Sequence, residues 1–190
     1  FDELPDIDTE IYHFAGLVYG DFDGKLFADA AKHGKVAVDV QCLLRHVEPD
    51  KTMAFHDWAE KLEYLPCIDY LKTDAAEAEI LTGLTDRAEA AKLLYSWGAK
   101  EVLITHNTEV LVYDGKKIYT CPIKARNLSG RTGRGDTTFA GYITERQRAG
   151  VAEALQYCSA LVSLKMETPG PFQGTREDVL QYIKDFYTEQ

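Results

Sequence analysis

Short apolar runs alternate along this chain with segments in which apolar residues recur at helical spacing. The runs are typical of strands buried on both faces of a parallel sheet, and the spaced segments are typical of helices. Strands are predicted over 11–20, 35–40, 67–72 and 101–106, with a hairpin over 109–123 that turns at Asp114-Gly115. Helices are predicted over 23–34, 54–65, 74–83, 85–100, 137–150, 151–166 and 175–187. The alternation predicts an α/β fold with a mostly parallel sheet flanked by helices and a late β-hairpin.

Capping residues mark the ends of several predicted helices. Gly83 and Gly98 lie at or near the ends of two predicted helices, where glycine can take the positive φ that closes a helix. Thr85 is the predicted N-cap of the helix after Gly83, and Thr175 with Asp178 predicts a capping box.

Composition and charge narrow the class of protein. The chain has 190 residues, of which 45% are hydrophobic and 27% charged, as in an ordinary globular domain. No apolar run is long enough to cross a membrane, and the acidic start does not resemble a signal peptide. The formal charge of −10 disfavours nucleic-acid binding. Irregularly spaced cysteines and histidines predict reduced thiols, a cytoplasmic location and no zinc site.

A glycine-rich loop, GRTGRGDTT at residues 130–138, carries the most distinctive chemistry. Its spacing begins like a P-loop, but Asp136 stands where that motif requires lysine. Gly133 and Gly135 permit a backbone that points several N–H groups at one anion, at the positive end of the next helix. Asp136 could then take the proton of a hydroxyl that attacks a phosphate. Alternatively, Asp136 only caps a helix at 137–149, and the loop alone supports both interpretations equally.

Asp74 and Glu77 start the helix that follows the 67–72 strand. At this spacing both carboxylates lie on one face of the first turn, where they could hold a hydrated Mg²⁺ near phosphate oxygens. The same spacing makes a capping box that needs no ligand, and capping is the better interpretation of the pair taken alone. An anion-binding loop at the same edge of the sheet makes the metal role a hypothesis worth testing.

Polar residues also follow two other predicted strands. They could contact substrate, phosphate or nucleotide, or make only local contacts, and the histidine among them is more typical of a loop than of a catalyst. They are Asp39, Gln41 and Arg45 after the 35–40 strand, and Thr105, His106 and Asn107 after the 101–106 strand.

The glycine loop resembles the second signature of the PfkB (ribokinase-like) carbohydrate kinase family. That signature has the form DTxGAGD before a helix, and here it is GRTGRGD. Gly133, Gly135 and Asp136 match the two glycines and the catalytic aspartate. The chain departs from the signature at Gly130, Arg131 and Arg134, which replace Asp, Thr and Ala.

Three further segments resemble the same family in the same order. The NxxE motif, which orders Mg²⁺ and phosphate, resembles Asp74 to Glu77, with Asp in place of Asn. A Thr-x-Gly near the nucleotide resembles Thr105 to Asn107, with Asn in place of Gly. Residues 150–170 resemble the helix and loop on the adenine side. The family's N-terminal sugar-binding strands, first signature and lid have no counterpart, so residues 1–190 are expected to be one domain, the C-terminal two-thirds of a member.

The resemblance implies a three-layer ribokinase-like (Rossmann-like) fold and ATP-dependent phosphoryl transfer to a hydroxyl of a sugar, polyol or nucleoside, in a protein that could form a homodimer. Two alternatives stay open at this point: a non-catalytic nucleotide- or sugar-binding module, and a dinucleotide oxidoreductase. The second is disfavoured, because the GxGxxG motif of such enzymes should follow an early strand, whereas the glycine loop here comes late, after the predicted hairpin. The roles implied are Asp136 as base; Arg131, Thr132, Gly133, Arg134 and Gly135 at the phosphates; Thr105 and Asn107 at the nucleotide; and Glu77 and Asp74 at Mg²⁺.

Overall fold

The computed structural model of this protein describes residues 9–188. The strands within that range are β1 Ile11–Phe14, β2 Lys35–Asp39, β3 Arg45–Val47, β4 Met53–Phe55, β5 Tyr70–Asp74, β6 Val102–Thr105, β7 Glu109–Tyr113 and β8 Ile118–Pro122. The helices are α1 Gly24–Ala30, α2 Gln41–Leu44, α3 Lys61–Tyr64, α4 Ala75–Thr82, α5 Arg87–Ser96, α6 Arg134–Glu145, α7 Val151–Lys165 and α8 Arg176–Phe186, with a 3₁₀ turn at Leu65–Cys67.

Six strands form one sheet in the order β1-β2-β5-β6-β7-β8, and β3 and β4 form a separate antiparallel pair. β1 pairs with β2 and β2 with β5 in parallel, while β7 and β8 are the predicted hairpin. The run of Val36, Ala37 and Val38 in β2 is fully buried, which is why this strand is continuously apolar. The predicted α/β fold, with a mostly parallel sheet, is confirmed.

The described residues gather into two compact units. The first reaches Ile104 and includes Tyr113–Lys117, and the second comprises Thr105–Val112 and the residues from Ile118 onward. In the second unit α8 packs on α7 around a buried cluster of Ala160, Val179 and Tyr182.

No helix among residues 9–188 has the length and apolar character to cross a bilayer.

The first predicted strand is shorter than its apolar pattern. β1 ends at Phe14, because Oδ2 of Asp21 accepts the N–H groups of Leu17 and Val18 at 2.6 and 3.0 Å. Those hydrogen bonds fold residues 17–21 into a turn. The apolar run therefore extends beyond the end of the strand.

The helix predicted over 54–65 is mostly wrong. β4 occupies its start and pairs with β3, and the only α-helical turn in that stretch is α3. Pairing with β3 overrides the helical spacing, because a short segment takes the structure that its tertiary partner stabilises.

The N-cap predicted at Thr85 is also wrong. Oδ1 of Asp86 accepts the N–H of Glu89 at 3.0 Å, so α5 begins at Arg87. Gly83 closes α4 with φ 73°, as predicted. Also confirmed are the capping box of Thr175 with Asp178 and the glycine turn at Gly115. Cys42, Cys67, Cys121 and Cys158 are not in disulfides among the described residues.

Candidate functional site

The glycine loop enters α6 through Gly133, which takes the N-cap position with φ 76°. The helix therefore begins at Arg134, and Asp136 is exposed in its first turn. The N–H groups of a first helical turn have no carbonyl partner within the helix and lie at its positive end. The interpretation of Asp136 as cap of a helix at 137–149 is wrong, because the helix starts three residues earlier and no side chain caps it. Within the described part of the chain, the carboxylate of Asp136 makes no hydrogen bond and remains accessible to a ligand.

The other predicted phosphate contacts lie on the same loop. Arg131 and Thr132 are exposed, and Gly135 follows Arg134 inside the first turn of α6. A loop that presents two arginines, several backbone amides and one carboxylate is suited to an anion that reacts with a hydroxyl.

The side chain of Arg134 contacts the turn between β6 and β7. Its Nη1 donates to Oδ1 of Asn107 at 2.9 Å, which brings together two residues predicted to contact the donor. Thr105 is the last residue of β6 and is buried. His106 contacts Oγ1 of Thr108 through Nδ1 at 3.1 Å, as expected of a loop histidine.

A buried ion pair lies in the first unit, between Asp39, the last residue of β2, and Lys72, its register partner in the middle of β5. Nζ of Lys72 lies 2.8 Å from Oδ2 of Asp39 and 3.9 Å from Oε2 of Glu77. Burial lowers the pKa of Lys72, but the two carboxylates outweigh it and leave that pKa above its ordinary value. The sequence predicts no role for Lys72. Its place at the end of the predicted apolar strand 67–72 is nevertheless a signal, because a buried lysine needs a charged partner.

Asp74 and Glu77 form the predicted capping box at the start of α4. Oδ1 of Asp74 accepts the N–H of Glu77 at 2.8 Å, and Oε2 of Glu77 accepts the N–H of Asp74 at 2.7 Å. Burial raises the pKa of Glu77 to about 7, against the lowering effect of Lys72. The carboxyl group of Glu77 thus lies in an environment where a nearby cation would favour its ionised form.

The capping box leaves the second oxygen of each carboxylate without a hydrogen bond to a described residue. Mg²⁺ commonly takes one or two carboxylates and completes its shell with water and phosphate oxygens, so Asp74 and Glu77 fit such an ion. Among residues 9–188 no three His, Cys, Asp or Glu side chains converge, which leaves a fully protein-ligated site without support.

Gln41 and Arg45 make local contacts. Nη2 of Arg45 donates to Oε1 of Gln41 at 2.7 Å, and the N–H of Gln41 donates to Oδ1 of Asp39 at 3.1 Å. The chain of contacts ends at the buried pair with Lys72, so these residues help to hold Asp39 in place.

Comparison with known proteins gives a consistent result. A family model described as pfkB family carbohydrate kinase matches residues 8–177. A cytidine kinase of Thermococcus kodakarensis is 35% identical over 89 residues, which are 45% of this chain and 32% of that protein. A solved pyrophosphate-dependent kinase in the ribokinase family, complexed with a pyrophosphate analog and myo-inositol, is 34% identical with a TM-score of 0.85, over 93% of this chain and 64% of that one.

A more distant solved structure shares the fold. Arabidopsis thaliana ribokinase, complexed with ribose and ATP, is 22% identical with a TM-score of 0.72. The match covers 88% of this chain and 55% of that one. The chain therefore spans about a third of the curated relative and less than two thirds of both solved relatives.

Proposed function

This chain belongs to the pfkB family of carbohydrate kinases, and on that premise we propose that it transfers a phosphoryl group from ATP to a hydroxyl of a sugar, polyol or nucleoside. The observation that carries the proposal is the exposed carboxylate of Asp136 in the first turn of α6, directly after the glycine loop. No hydrogen bond to another described residue occupies that carboxylate, so it is available to accept a proton from a bound acceptor.

Asp136 acts as the general base in this proposal. As the acceptor oxygen bonds to the donor's terminal phosphorus, its proton passes to Asp136, and the bridging P–O bond to the donor breaks. Amides of Gly133, Arg134 and Gly135, together with the side chains of Arg131 and Thr132, stabilise the phosphate charge that develops. Thr105 and Asn107 are proposed to contact the nucleotide.

Asp74 and Glu77 are the residues that would hold Mg²⁺. The ion, when bound, would neutralise charge on the donor phosphates. The ammonium of Lys72, held by Asp39, keeps positive charge beside Glu77 and favours its ionised form. With its pKa at about 7, the carboxyl group of Glu77 is partly protonated near neutral pH when no cation is bound, and a bound cation would favour its ionised form.

Pyrophosphate is a second candidate donor, favoured by the contact between Arg134 and Asn107. A donor without a nucleoside offers the protein only phosphate groups to bind, and Arg134 adds a cation at the loop that can bind them. The pyrophosphate-dependent relative matches 93% of the chain, so both donors belong in the first assay. A homodimer and a cytoplasmic location stay predictions.

The test is phosphoryl transfer with Mg²⁺ and either ATP or pyrophosphate, using ribose, fructose, myo-inositol, cytidine and other nucleosides as acceptors. Replacing Asp136→Asn should lower turnover by about 10²–10⁴-fold while donor binding persists. The matched control is Glu177→Gln, an exposed acid in the first turn of α8, which should leave turnover unchanged. Near-normal turnover in the Asp136 variant would remove that residue from the role, and donor binding without transfer to any acceptor would support a non-catalytic binding module instead.

A further inference from the structure

Lys165 is a buried lysine at the end of α7, with 2% of its surface exposed. Its Nζ donates to the carbonyl oxygen of Gly130 at 2.6 Å and to that of Thr132. No carboxylate of a described residue lies within 4.0 Å of this ammonium. A buried charge is costly unless dipoles or opposite charges compensate it, and here two backbone carbonyls of the glycine loop do so.

The start of the glycine loop is attached to the same end of α7 by further contacts. The N–H of Gly130 donates to the carbonyl oxygen of Met166 at 2.8 Å. A Cβ at Gly130 would lie 1.8 Å from the carbonyl oxygen of Thr168, so only glycine permits this approach. Oγ of Ser129 donates to the carbonyl oxygen of Glu167 at 2.7 Å.

The two carbonyl contacts determine where the next N–H groups point. In a planar trans peptide the C=O and the following N–H point in opposite directions. When the carbonyls of Gly130 and Thr132 face Lys165, the N–H groups of Arg131 and Gly133 face away from it. The ammonium therefore orients two amides of the loop and places a positive charge behind them.

We propose that Lys165 is a positioning residue for phosphoryl transfer: its ammonium sets the conformation of the Gly130–Gly133 backbone, which orients the anion-binding amides and, through α6, the carboxylate of Asp136. The proposal rests on the proposed kinase function. Lys165 touches neither donor nor acceptor and acts through the loop. Its ammonium attracts and orients the carbonyl oxygens of the loop, as a bound metal cation coordinated by carbonyl oxygens would.

The test compares Lys165→Met, which keeps length and removes charge, with Lys165→Ala, which leaves space between the two carbonyls. Both should fold, and both should lower kcat by about 10- to 100-fold with little change in the acceptor KM. Ammonium ions should restore part of the kcat of Lys165→Ala but not of Lys165→Met, because a small cation can occupy only the space that alanine leaves. Lys184→Met, an exposed lysine in the last turn of α8, is the control and should behave as the unaltered protein.

Two results would overturn the proposal: unaltered kcat in a folded Lys165→Met variant, or a loss of kcat in Lys165→Ala that ammonium does not change. If the unaltered protein transfers no phosphate from either donor, the proposed function fails on its own. The affinity for methylenediphosphonate then tests Lys165 independently and should fall at least about tenfold in Lys165→Met. If Lys165→Met does not fold, the ammonium dependence of Lys165→Ala decides, since added ammonium must raise its kcat or its methylenediphosphonate affinity.

Discussion

The guanidinium of Arg134 donates a hydrogen bond to Oδ1 of Asn107 at 2.9 Å. Both residues stand at positions where the chain departs from the family pattern, with arginine in place of alanine and asparagine in place of glycine. The two departures are therefore a contacting pair, in which the asparagine side chain holds the arginine. Such a pair adds a positive charge to the glycine loop without altering Asp136, the proposed base.

The Arg134–Asn107 pair should act as one unit toward the donor. Arg134→Ala should raise the donor KM about tenfold, because a charge-assisted phosphate contact contributes on the order of 1.5 kcal/mol. Asn107→Gly should raise it less, and the double variant should match Arg134→Ala, since removal of the arginine leaves asparagine nothing to hold. Donor KM measured over this double-mutant cycle checks the prediction, with Arg148→Ala as an exposed control. Strictly additive effects would contradict it.

Glu77 should make the stability of the protein depend on pH. Its pKa is raised to about 7 in the folded chain, so the folded state binds more protons than the unfolded state above pH ~4.5. The stabilisation from protonated Glu77 is present below that pH and disappears as pH rises through about 7. The free energy of unfolding of the unaltered protein, compared with that of Glu77→Gln, should thus fall by up to about 3 kcal/mol between pH 4 and 8.

Urea unfolding of both proteins across this pH range, without Mg²⁺, measures the difference directly. The glutamine variant removes the titration of Glu77 but retains the other titrating groups, which cancel in the comparison. A difference that is constant from pH 4 to 8 would show that the buried carboxyl group has an ordinary pKa.

Gly130 should be intolerant of any side chain. The Cβ of an alanine here would lie 1.8 Å from the carbonyl oxygen of Thr168. That oxygen belongs to the backbone, so no movement of a side chain can remove the clash. We expect Gly130→Ala to lower the free energy of unfolding by at least about 2 kcal/mol. Gly150→Ala is the control, because its Cβ would meet only the end of the Glu153 side chain and should cost less than about 1 kcal/mol. Equal stability of the two variants would refute the close approach.

The N-cap of α5 offers a test of the local fold. Asp86→Ala should destabilise the protein by about 0.5–2 kcal/mol, because it leaves the N–H of Glu89 without its side-chain acceptor. Thr85→Ala should change stability by less than about 0.5 kcal/mol. Thermal unfolding of the two variants checks the assignment. A larger loss of stability in Thr85→Ala than in Asp86→Ala would show that Thr85 is the N-cap.

Sequence alone determined the features that depend on interactions between residues close together along the chain. Alternating apolar runs and helical spacing predicted the α/β fold, because burial on both faces of a strand or on one face of a helix leaves a local period. Spacing also predicted the pairing of Asp74 with Glu77 and the position of Asp136 at a helix N-terminus. In each case the interacting groups lie within one helical turn of each other.

Tertiary structure decided the contacts between residues far apart along the chain. Lys72 finds Asp39 across 33 positions, Lys165 finds Gly130 across 35, and Arg134 finds Asn107 across 27. Periodicity carries no information about such partners, because they meet only when strands pair and helices pack. The strand at Met53–Phe55 depends on a nearer partner, since it pairs with Arg45–Val47, and that pairing rather than its own helical spacing stabilises it.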